Sequence, residues 1–261
     1  MSDYPTVSIV TGTYNSDLAI FKSVLDALKF QTYSAHILEH IVMDGGSTNG
    51  CVQLARRYGC TVIVPKGQWR REQVRPALGI IRAKGDLILI LESDNILVGQ
   101  DWLKKMVKLF LDNDKVVCSF SAHNTYEKNM ALMTRYCALF GSPDPTLYYL
   151  KKTEKIRLDQ SDYDKGEALE ETRDYWIVRF DRDTLPTLGD NGHMFRKDAM
   201  LRVVLDPEKY THTDAFMDLL GLGFDTYAAV NNTIIHTMNP NLLSHVRRRV
   251  ERLERRAATG P

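Results

Sequence analysis

Residues 86–95 read Asp-Leu-Ile-Leu-Ile-Leu-Glu-Ser-Asp-Asn, and this stretch decides the fold class. The unbroken apolar run from Leu87 to Leu91 is typical of a strand that is buried on both faces, as in parallel sheets covered by helices. The polar residues that come directly after it would leave the sheet at the carboxyl end of the strand, where such sheets bind their ligands. The stretch therefore predicts an α/β protein with a polar site just beyond this strand.

The chain on either side of this strand alternates strands and helices. The other predicted strands of the first half are residues 7–10, 41–43, 61–64 and 116–120. Amphipathic helices are predicted between them, the first with Ser16 as its N-terminal cap. Because strands separated by such helices form parallel β-α-β units, we expect a doubly wound, mostly parallel sheet flanked by helices.

The second half of the chain is less regular. Helical periodicity is present at residues 126–140 and 213–222, and strands are predicted at 226–230 and 233–236. Residues 158–174 carry seven acids with weak periodicity, which predicts an irregular loop. No repeat or linker divides the chain, so we expect one domain over residues 1–240.

The composition is that of a globular protein, but the charge is unevenly distributed. Hydrophobic residues make up 44% and charged residues 26% of the 261 residues, which excludes a largely disordered chain. The 34 Lys and Arg against 33 Asp and Glu give no sign of a nucleic-acid partner. Residues 247–256, however, hold six Arg and two Glu. With apolar residues at helical spacing, residues 241–261 predict a basic amphipathic C-terminal helix. Such a helix could contact an anionic membrane surface through residues 241–256, pack on the domain or mediate a dimer.

The cysteines and the N-terminus indicate a cytoplasmic location. The four cysteines form no Cys-x-x-Cys pair and match no zinc spacing, so we expect small buried groups in a reducing compartment (Cys51, Cys60, Cys118 and Cys137). The first residues lack the pattern of a signal peptide, and no apolar run is long enough to span a bilayer. We expect a cytoplasmic protein, with membrane contact only at its surface.

Polar residues follow three of the predicted strands. They are Thr-Gly-Thr-Tyr-Asn at 11–15, Asp-Gly-Gly-Ser at 44–47 and Glu-Ser-Asp-Asn at 92–95. Residues two apart in an extended chain point to the same side, so Glu92 and Asp94 can face one point. Paired carboxylates repel each other unless a cation neutralises them, and hard oxygen ligands suit Mg²⁺ or Mn²⁺. The sequence therefore predicts a divalent-metal site beyond the fourth strand.

The order of these segments resembles that of family-2 glycosyltransferases, which have the nucleotide-diphospho-sugar transferase (GT-A) fold. The resemblance rests on Val-Ser-Ile-Val-Thr-Gly-Thr-Tyr-Asn at 7–15, Asp-Gly-Gly-Ser-Thr-Asn at 44–49, Ala-Lys-Gly-Asp at 83–86 and the acidic segment at 92–95. It is strong over about residues 5–98 and weaker over 188–236. It implies a nucleotide-sugar half at about 1–120 and an acceptor half at about 121–240.

The resemblance also implies donor-binding residues. Thr11, Thr13, Tyr14 and Ser93 would belong to the nucleotide-sugar pocket, and Asp44 would hydrogen-bond the base. Asp94 matches the last acid of the family's Asp-x-Asp motif and would bind the metal. Glu92 stands where an Asp is usual, so it could bind either the metal or the ribose. Gly45 replaces an Asp, which leaves the base open between a uracil and a guanine nucleotide.

Two arginines between the third and fourth strands are further candidates for the donor. Arg71 and Arg75 lie one helical turn apart, so they can face the same side. A guanidinium group carries two parallel donors that suit diphosphate oxygens. We expect these side chains either to bind the donor diphosphate or to lie on a solvated helix face.

The resemblance places the acceptor side in the second half. Asn191, Gly192 and Arg196 lie in its Gly-rich segment, and Asp214 would be the catalytic base, with Asp190 as the alternative. A late histidine, His236, could complete the metal site, although a lone His is more often structural.

The activity implied is inverting transfer of a sugar from a UDP- or GDP-linked donor. The acceptor would be a glycan hydroxyl or a polyprenyl-phosphate-type lipid, in the synthesis of cell-surface or lipid-linked glycans. One alternative is a sugar-phosphate nucleotidyltransferase, but residues 11–15 lack the basic groups its loop needs. Another is a non-catalytic sugar-binding or scaffold protein. A dinucleotide oxidoreductase is disfavoured because no Gly-x-Gly-x-x-Gly follows a strand.

Overall fold

A computed structural model of the chain describes residues 4–33, 36–67, 74–189, 191–204 and 206–238, together with Leu243, Val246, Arg247, Val250 and Glu254. Ten strands and eight helices lie in these ranges. The strands are β1 (Val7–Thr13), β2 (Ile37–Asp44), β3 (Thr61–Ile63), β4 (Leu87–Leu91), β5 (Asn95–Leu97), β6 (Cys118–Asn124), β7 (Glu167–Glu171), β8 (Tyr175–Arg179), β9 (Asn191–Arg196) and β10 (Thr226–His236). The helices are α1 (Leu18–Lys29), α2 (Cys51–Arg57), α3 (Val74–Arg82), α4 (Trp102–Asp112), α5 (Leu132–Phe140), α6 (Pro145–Tyr149), α7 (Lys197–Leu201) and α8 (His212–Gly221).

The strands form one mixed sheet in the order β3-β2-β1-β4-β9-β6-β10-β8-β7, and β5 pairs with β10 off this path. Strands β1, β2, β3 and β4 are parallel to one another, and β6 is parallel to β10. Strands β5, β8 and β9 run the opposite way, against β10, β4 and β6. This confirms the predicted mostly parallel α/β sheet and places β4 in its interior.

The apolar run of β4 is buried on both faces, as predicted. Each of its five residues is at most 3% exposed. Ile88 and Ile90 pack into a core shared with α3, whereas Leu87, Leu89 and Leu91 pack into a second core shared with α1 and α4. Complete burial of such a side chain contributes about 1.5–3 kcal/mol to stability. Packing on both faces fixes the position of β4 and therefore that of the residues that follow it.

Three predicted elements differ in the structure. Residues 167–171 form the exposed strand β7 instead of a loop, because they pair with β8 and Arg179 contacts Glu167 at 3.1 Å. Charged side chains are usual on such an edge strand, since they prevent pairing with other chains. The two strands predicted at 226–230 and 233–236 are one strand with an irregularity between Val230 and Thr233.

The start of two helices also differs. Asp17, and not Ser16, caps α1, because its carboxylate accepts hydrogen bonds from the amides of Ala19 and Ile20 at 2.9 and 3.1 Å. The helix predicted over 126–140 begins only at Leu132. Neither change moves the strand ends that carry the candidate site.

Most of the predicted C-terminal helix lies outside the described residues. Among those that are described, none belongs to a helix both long and apolar enough to cross a bilayer. The four cysteines are buried and form no disulfide. The division of the chain into two functional halves stays a prediction.

A buried ionic network holds β9 in place. The Glu154 carboxylate contacts the Lys155 ammonium at 3.1 Å and the His193 Nε2 atom at 2.8 Å, and all three side chains are at most 8% exposed. Burial raises the pKa of Glu154, but Lys155 and His193 outweigh it and lower the pKa to about 2. The carboxylate therefore stays ionised inside the protein at neutral pH, because its contacts with Lys155 and His193 replace the lost water.

This network predicts acid-dependent stability. The pKa of about 2 in the folded state lies below the ordinary value of 4.5, so the pair contributes stability above pH 4.5 that is lost as the pH falls towards 2. We expect the free energy of unfolding of the wild type to fall by on the order of 3 kcal/mol more than that of Glu154→Gln across this window. Urea unfolding at a series of pH values measures the difference.

The exposed Glu171→Gln variant is the control, and its pH profile should match that of the wild type. If Glu154→Gln leaves Lys155 buried and unpaired and does not fold, the double variant with Lys155→Met carries the same test. Parallel profiles for the wild type and the Glu154 variant would contradict the prediction.

Candidate functional site

Three polar segments meet at one edge of the sheet. Strands β1, β2 and β4 are neighbours and run parallel, so their carboxyl ends lie side by side. Thr13 and Asp44 are register partners, and the amide of Gly45 donates to the carbonyl of Thr13 at 2.8 Å. Residues 92–95 follow β4 at the same edge. The topology thus assembles the segments that the sequence singled out.

A chain of hydroxyl groups ties two of these segments together. The Ser16 hydroxyl lies 2.9 Å from that of Thr13 and 2.7 Å from that of Ser93. Thr13 is 1% exposed and Ser93 is 7% exposed. These side chains therefore fix the loop after β1 relative to the loop after β4, and Ser16, which the sequence suggested only as a helix cap, is the link between them.

Thr11 lies behind the edge rather than in the wall of a pocket. It is fully buried, and its hydroxyl lies 2.9 Å from Nε2 of His40, whose Nδ1 lies 3.3 Å from the sulfur of Cys60. Burial lowers the pKa of His40 to about 4 and raises that of Cys60 to about 12, so both are uncharged at neutral pH. The Thr11 side chain therefore has no exposed surface with which to line the predicted nucleotide pocket, because it is buried against His40.

Asp44 shapes the turn after β2. Its side chain is fully buried, and one carboxylate oxygen accepts hydrogen bonds from the amides of Gly46 and Ser47 at 2.8 and 2.7 Å. The other oxygen accepts from the Ser47 hydroxyl at 2.6 Å. Three of about four acceptor positions of the carboxylate are thus used within the turn. Asp44 therefore holds the loop that carries Gly45, and in this arrangement it has no free surface for a base.

Tyr14 and Arg75 meet beside Gly45. A Cβ atom on Gly45 would lie 3.1 Å from Cδ2 of Tyr14 and 2.5 Å from Nη1 of Arg75. Tyr14 is 59% exposed, whereas Arg75, in the first turn of α3, is 6% exposed. An exposed ring and a guanidinium group therefore lie together at the β2 end of the edge. Arg71, the other predicted arginine, lies outside the described residues.

The two acids after β4 contact different neighbours. The Glu92 carboxylate lies against β1, where a Cβ on Gly12 would be 2.6 Å from its Oε2. Asp94 instead faces the end of β10, with Oδ2 3.9 Å from Nε2 of His236. The Asn95 side chain donates to Oδ1 of Asp94 at 2.9 Å, which orients the carboxylate. Asp94 is thus paired with His236, and the part of Glu92 in a metal site stays a prediction.

Asp94 and His236 fit a divalent metal. Their side chains are 45% and 14% exposed, so the pair is open to the edge of the sheet. Within the described residues no group of three or more His, Cys, Asp or Glu could hold a metal. Asp94 and His236 would be two of the ligands, and a substrate diphosphate and water commonly supply others for such ions. An imidazole ligand suits Mn²⁺ better than Mg²⁺.

The acceptor-side candidates separate in the structure. Asn191 pairs with Leu91 at the end of β4, and Gly192 has φ 76°, with no room for a Cβ because Ile234 Cδ1 would lie 2.8 Å away. Arg196 pairs with Leu87 at the opposite end of β4, about 13 Å along the strand. There its guanidinium donates to the carbonyls of Phe110 and Val116, both at 2.9 Å. Arg196 thus fastens α4 and does not reach the site.

Helix α8 begins beside this edge. Its N-terminal cap is Thr211, whose hydroxyl accepts from the amide of Asp214 at 3.2 Å. The ring of His212 packs against Gly189, where a Cβ would lie 3.5 Å away, and Gly189 comes two residues before the partner of Leu91. Asp214 is exposed in this first turn. The alternative base, Asp190, lies outside the described residues.

Comparison with known proteins agrees with this architecture. The model of the family Glycosyl transferase family 2 matches residues 8–183, which is about two thirds of the chain. A mannosyltransferase from Pyrobaculum calidifontis, solved with GDP-Man and Mn²⁺, superposes with a TM-score of 0.59 at 16% identity, over 95% of this chain and 65% of the other.

Glucosyl-3-phosphoglycerate synthase from Mycobacterium tuberculosis also superposes. The complex with Mn²⁺ and UDP-glucose has a TM-score of 0.55 at 16% identity, over 94% of this chain and 77% of the other. The complex with phosphoglyceric acid has a TM-score of 0.55 at 17% identity, over 93% and 75%. At such low identity these structures show the shared fold alone, and the chain spans less than two thirds of the mannosyltransferase.

No curated protein matches the chain in sequence. The family assignment therefore rests on the family model, which covers β1 to β8 and thus every strand end described above except those of β9 and β10. The mixed sheet and the polar edge beyond β4 agree with it. The chain belongs to glycosyl transferase family 2.

Proposed function

We propose that the protein is an inverting, metal-dependent glycosyltransferase that moves a sugar from a nucleotide-diphospho sugar to a hydroxyl or lipid-phosphate acceptor. The observation that carries the proposal is that the polar segments after β1, β2 and β4 meet at one edge of the sheet. Asp94 and His236 lie 3.9 Å apart at this edge, where we take them as metal ligands, and Tyr14 and Arg75 both lie close to Gly45 at the β2 end. The solved relatives hold GDP-Man or UDP-glucose with Mn²⁺, which supports a donor of this class.

The donor would lie along the edge from β2 to β4. Asp94 and His236 would hold the metal, with the diphosphate beside them, and the metal would stabilise the negative charge of the leaving nucleoside diphosphate. Tyr14 and Arg75 would contact the nucleoside, two strands away. Glu92, which lies against Gly12 between these positions, would contact the ribose. Through their contacts with the Ser16 hydroxyl, Thr13 and Ser93 would fix the loop after β1 relative to the loop after β4.

The acceptor would approach from the side of α8. Asp214 lies in the exposed first turn of that helix, so its carboxylate can take the proton from an attacking hydroxyl. The backbone of Asn191 and Gly192, at the end of β4, would line the acceptor's path. A phosphate acceptor is already ionised, and for it the role of Asp214 would be smaller.

A nucleotide panel tests the donor site. With Mn²⁺ present, we expect UDP or GDP at about 100 times its dissociation constant to raise the melting temperature by about 5 °C or more, since a ligand that binds only the folded state stabilises it. Chelation of the metal should remove most of this shift. Mn²⁺ alone and nucleoside monophosphates serve as controls. The proposal fails if no nucleoside diphosphate stabilises the protein with any divalent metal.

The proposed location of the enzyme depends on whether its acceptor is a lipid. We propose a cytoplasmic protein that is peripheral to the membrane if the acceptor is a polyprenyl-phosphate-type lipid, with residues 241–256 as the contact. Most of those residues lie outside the described part of the chain, so the proposal rests on their basic amphipathic sequence. Sedimentation with anionic vesicles, with and without residues 241–261, measures this contact.

A further inference from the structure

The side chain of His193 lies between the sheet and helix α8. It is fully buried, and its ring centroid lies 5.8 Å from that of Phe120 on β6 and 6.1 Å from that of Phe216 on α8. The carboxylate of Glu154 lies 2.8 Å from its Nε2 atom. The imidazole on β9 therefore contacts three segments that come from distant parts of the chain.

The segment that carries Glu154 is fixed on both sides of this residue. The amide of Ile156 donates to the carbonyl of Ala122 on β6 at 2.7 Å, and the carbonyl of Lys152 accepts from the amide of Thr187 at 2.8 Å. Thr187 lies in the loop that leads into β9. The carboxylate is thus held relative to the sheet and to that loop, so its contact can fix the imidazole in turn.

The two elements that meet at His193 carry the residues of the proposed acceptor side. Asn191 and Gly192 directly precede it at the start of β9. On α8, Phe216 follows Asp214 by two residues, so their side chains point to opposite faces of the helix. Phe216 is 1% exposed, whereas Asp214 is exposed. The packing of Phe216 therefore decides where α8 presents Asp214.

Stability alone does not account for charged groups at this place. Burial removes Glu154 and Lys155 from water, and well-packed apolar side chains of similar size are often at least as stable as a buried ion pair. The rings of Phe120 and Phe216 alone would hold the imidazole by contacts that have little directional preference. A carboxylate beside Nε2 adds one preferred position for His193.

We propose that Glu154 is a positioning residue for the acceptor side. Acting through His193, it sets the start of β9 and helix α8 relative to each other, and thereby the place of Asp214 beside the acceptor's path. The donor-binding segments follow β1, β2 and β4 instead, so donor affinity does not depend on this contact. The inference rests on the proposed function, because the acceptor-side roles belong to it.

Turnover and donor affinity are measured separately in Glu154→Gln, which keeps the size of the side chain and removes its charge. GDP-mannose and UDP-glucose serve as donors, with Mn²⁺ present and water as the acceptor. We expect the release of nucleoside diphosphate at saturating donor to fall at least about tenfold, since a small misplacement of a catalytic group is costly. The dissociation constant of the nucleoside diphosphate, measured by calorimetry, should stay within about twofold of the wild-type value.

The same measurements distinguish positioning from a merely structural role. A variant that only destabilised the fold would lose turnover and calorimetric binding sites per chain in equal proportion. The control Glu171→Gln removes the same charge from the exposed strand β7 and should behave like the wild type. If Glu154→Gln does not fold, Glu154→Gln with Lys155→Met takes its place in every comparison.

A double-variant cycle tests whether Glu154 acts through His193. His193→Phe keeps a ring between Phe120 and Phe216 but loses the contact with the carboxylate. It should lower turnover about as much as Glu154→Gln, and the two substitutions together should lower it by less than about twofold more than either alone. Effects that multiply would show that the two side chains act independently, which overturns the inference.

Hydrogen exchange gives a readout that needs no turnover. In Glu154→Gln, the amides of residues 191–194 and 212–217 should exchange at least about tenfold faster, because the start of β9 and the first turns of α8 lose their fixed position. The amides of β1 and β2 should keep their wild-type rates. An equal increase in all elements would indicate global destabilisation and would overturn the inference, as would no increase at all.

The outcomes separate this inference from the proposed function. Unchanged turnover in Glu154→Gln overturns the inference and leaves a nucleotide-sugar enzyme in place. If the wild type binds a nucleoside diphosphate but does not release one from either donor into water, the exchange pattern alone decides. If the wild type binds no nucleoside diphosphate, the proposed function fails and this inference fails with it.

Discussion

Replacement of Asp94 by Asn should lower kcat/KM for sugar transfer by at least about 100-fold, or about 3 kcal/mol of transition-state stabilisation. Asn keeps the size of the side chain and can still accept the hydrogen bond from Asn95, but it removes the negative charge beside His236. The metal would then be held by one neutral protein ligand, and the charge on the leaving diphosphate would be less well compensated. Release of nucleoside diphosphate, measured as a function of Mn²⁺ concentration, reports the effect.

The matched control is Asp112→Asn. Asp112 has nearly the same side-chain exposure as Asp94, 46% against 45%, but lies at the end of α4 and forms an ion pair with the exposed Lys108. We expect this variant to keep wild-type turnover, since an exposed ion pair contributes little. Unchanged turnover and unchanged Mn²⁺ dependence in Asp94→Asn would remove Asp94 from the metal site.

Replacement of Asp214 by Asn should lower kcat by about 10²–10⁴-fold for a hydroxyl acceptor while leaving donor affinity unchanged. The amide cannot take a proton from the attacking hydroxyl, whereas the fold should tolerate it because Thr211 caps α8. Steady-state kinetics with varied donor and acceptor separate the two effects.

Asp218→Asn is the control for this prediction. Asp218 is exposed on the same helix one turn further on, so the variant changes the same charge without reaching the first turn. Wild-type turnover is expected for it. If Asp214→Asn instead kept normal turnover at normal donor affinity, the role of the base would pass to Asp190.

The strand β4 shows why much of the fold was predictable. Its five apolar residues alternate between the two cores, so no polar residue interrupts them and the run is visible in the sequence. Strand β7 shows the opposite case. All five of its residues are exposed and three are acidic, so nothing in residues 167–171 distinguishes a strand from a loop until β8 pairs with them.

The acids after β4 show that the two-residue alternation of an extended chain predicts side-chain direction only as far as the strand continues. Glu92 and Asp94 would share a side if the strand continued, but it ends at Leu91 and a turn follows, with the amide of Asn95 donating to the carbonyl of Glu92 at 3.1 Å. Strand β5 then pairs with β10, which directs Asp94 to His236. The partner of Asp94 is thus set by a contact across 142 residues of sequence.

The sequence by itself determined the alternation of strands and helices, the buried fourth strand and the polar segments at 11–15, 44–47 and 92–95, because these depend on neighbouring residues and on burial. Only the tertiary structure decided which of those residues face the site. It turned Asp44 and Thr11 inward, moved Arg196 to the far end of β4, and placed Arg75 over Gly45 and Asp94 beside His236. The physical reason is that a side chain's direction depends on the elements packed around it, and those elements come from distant parts of the chain.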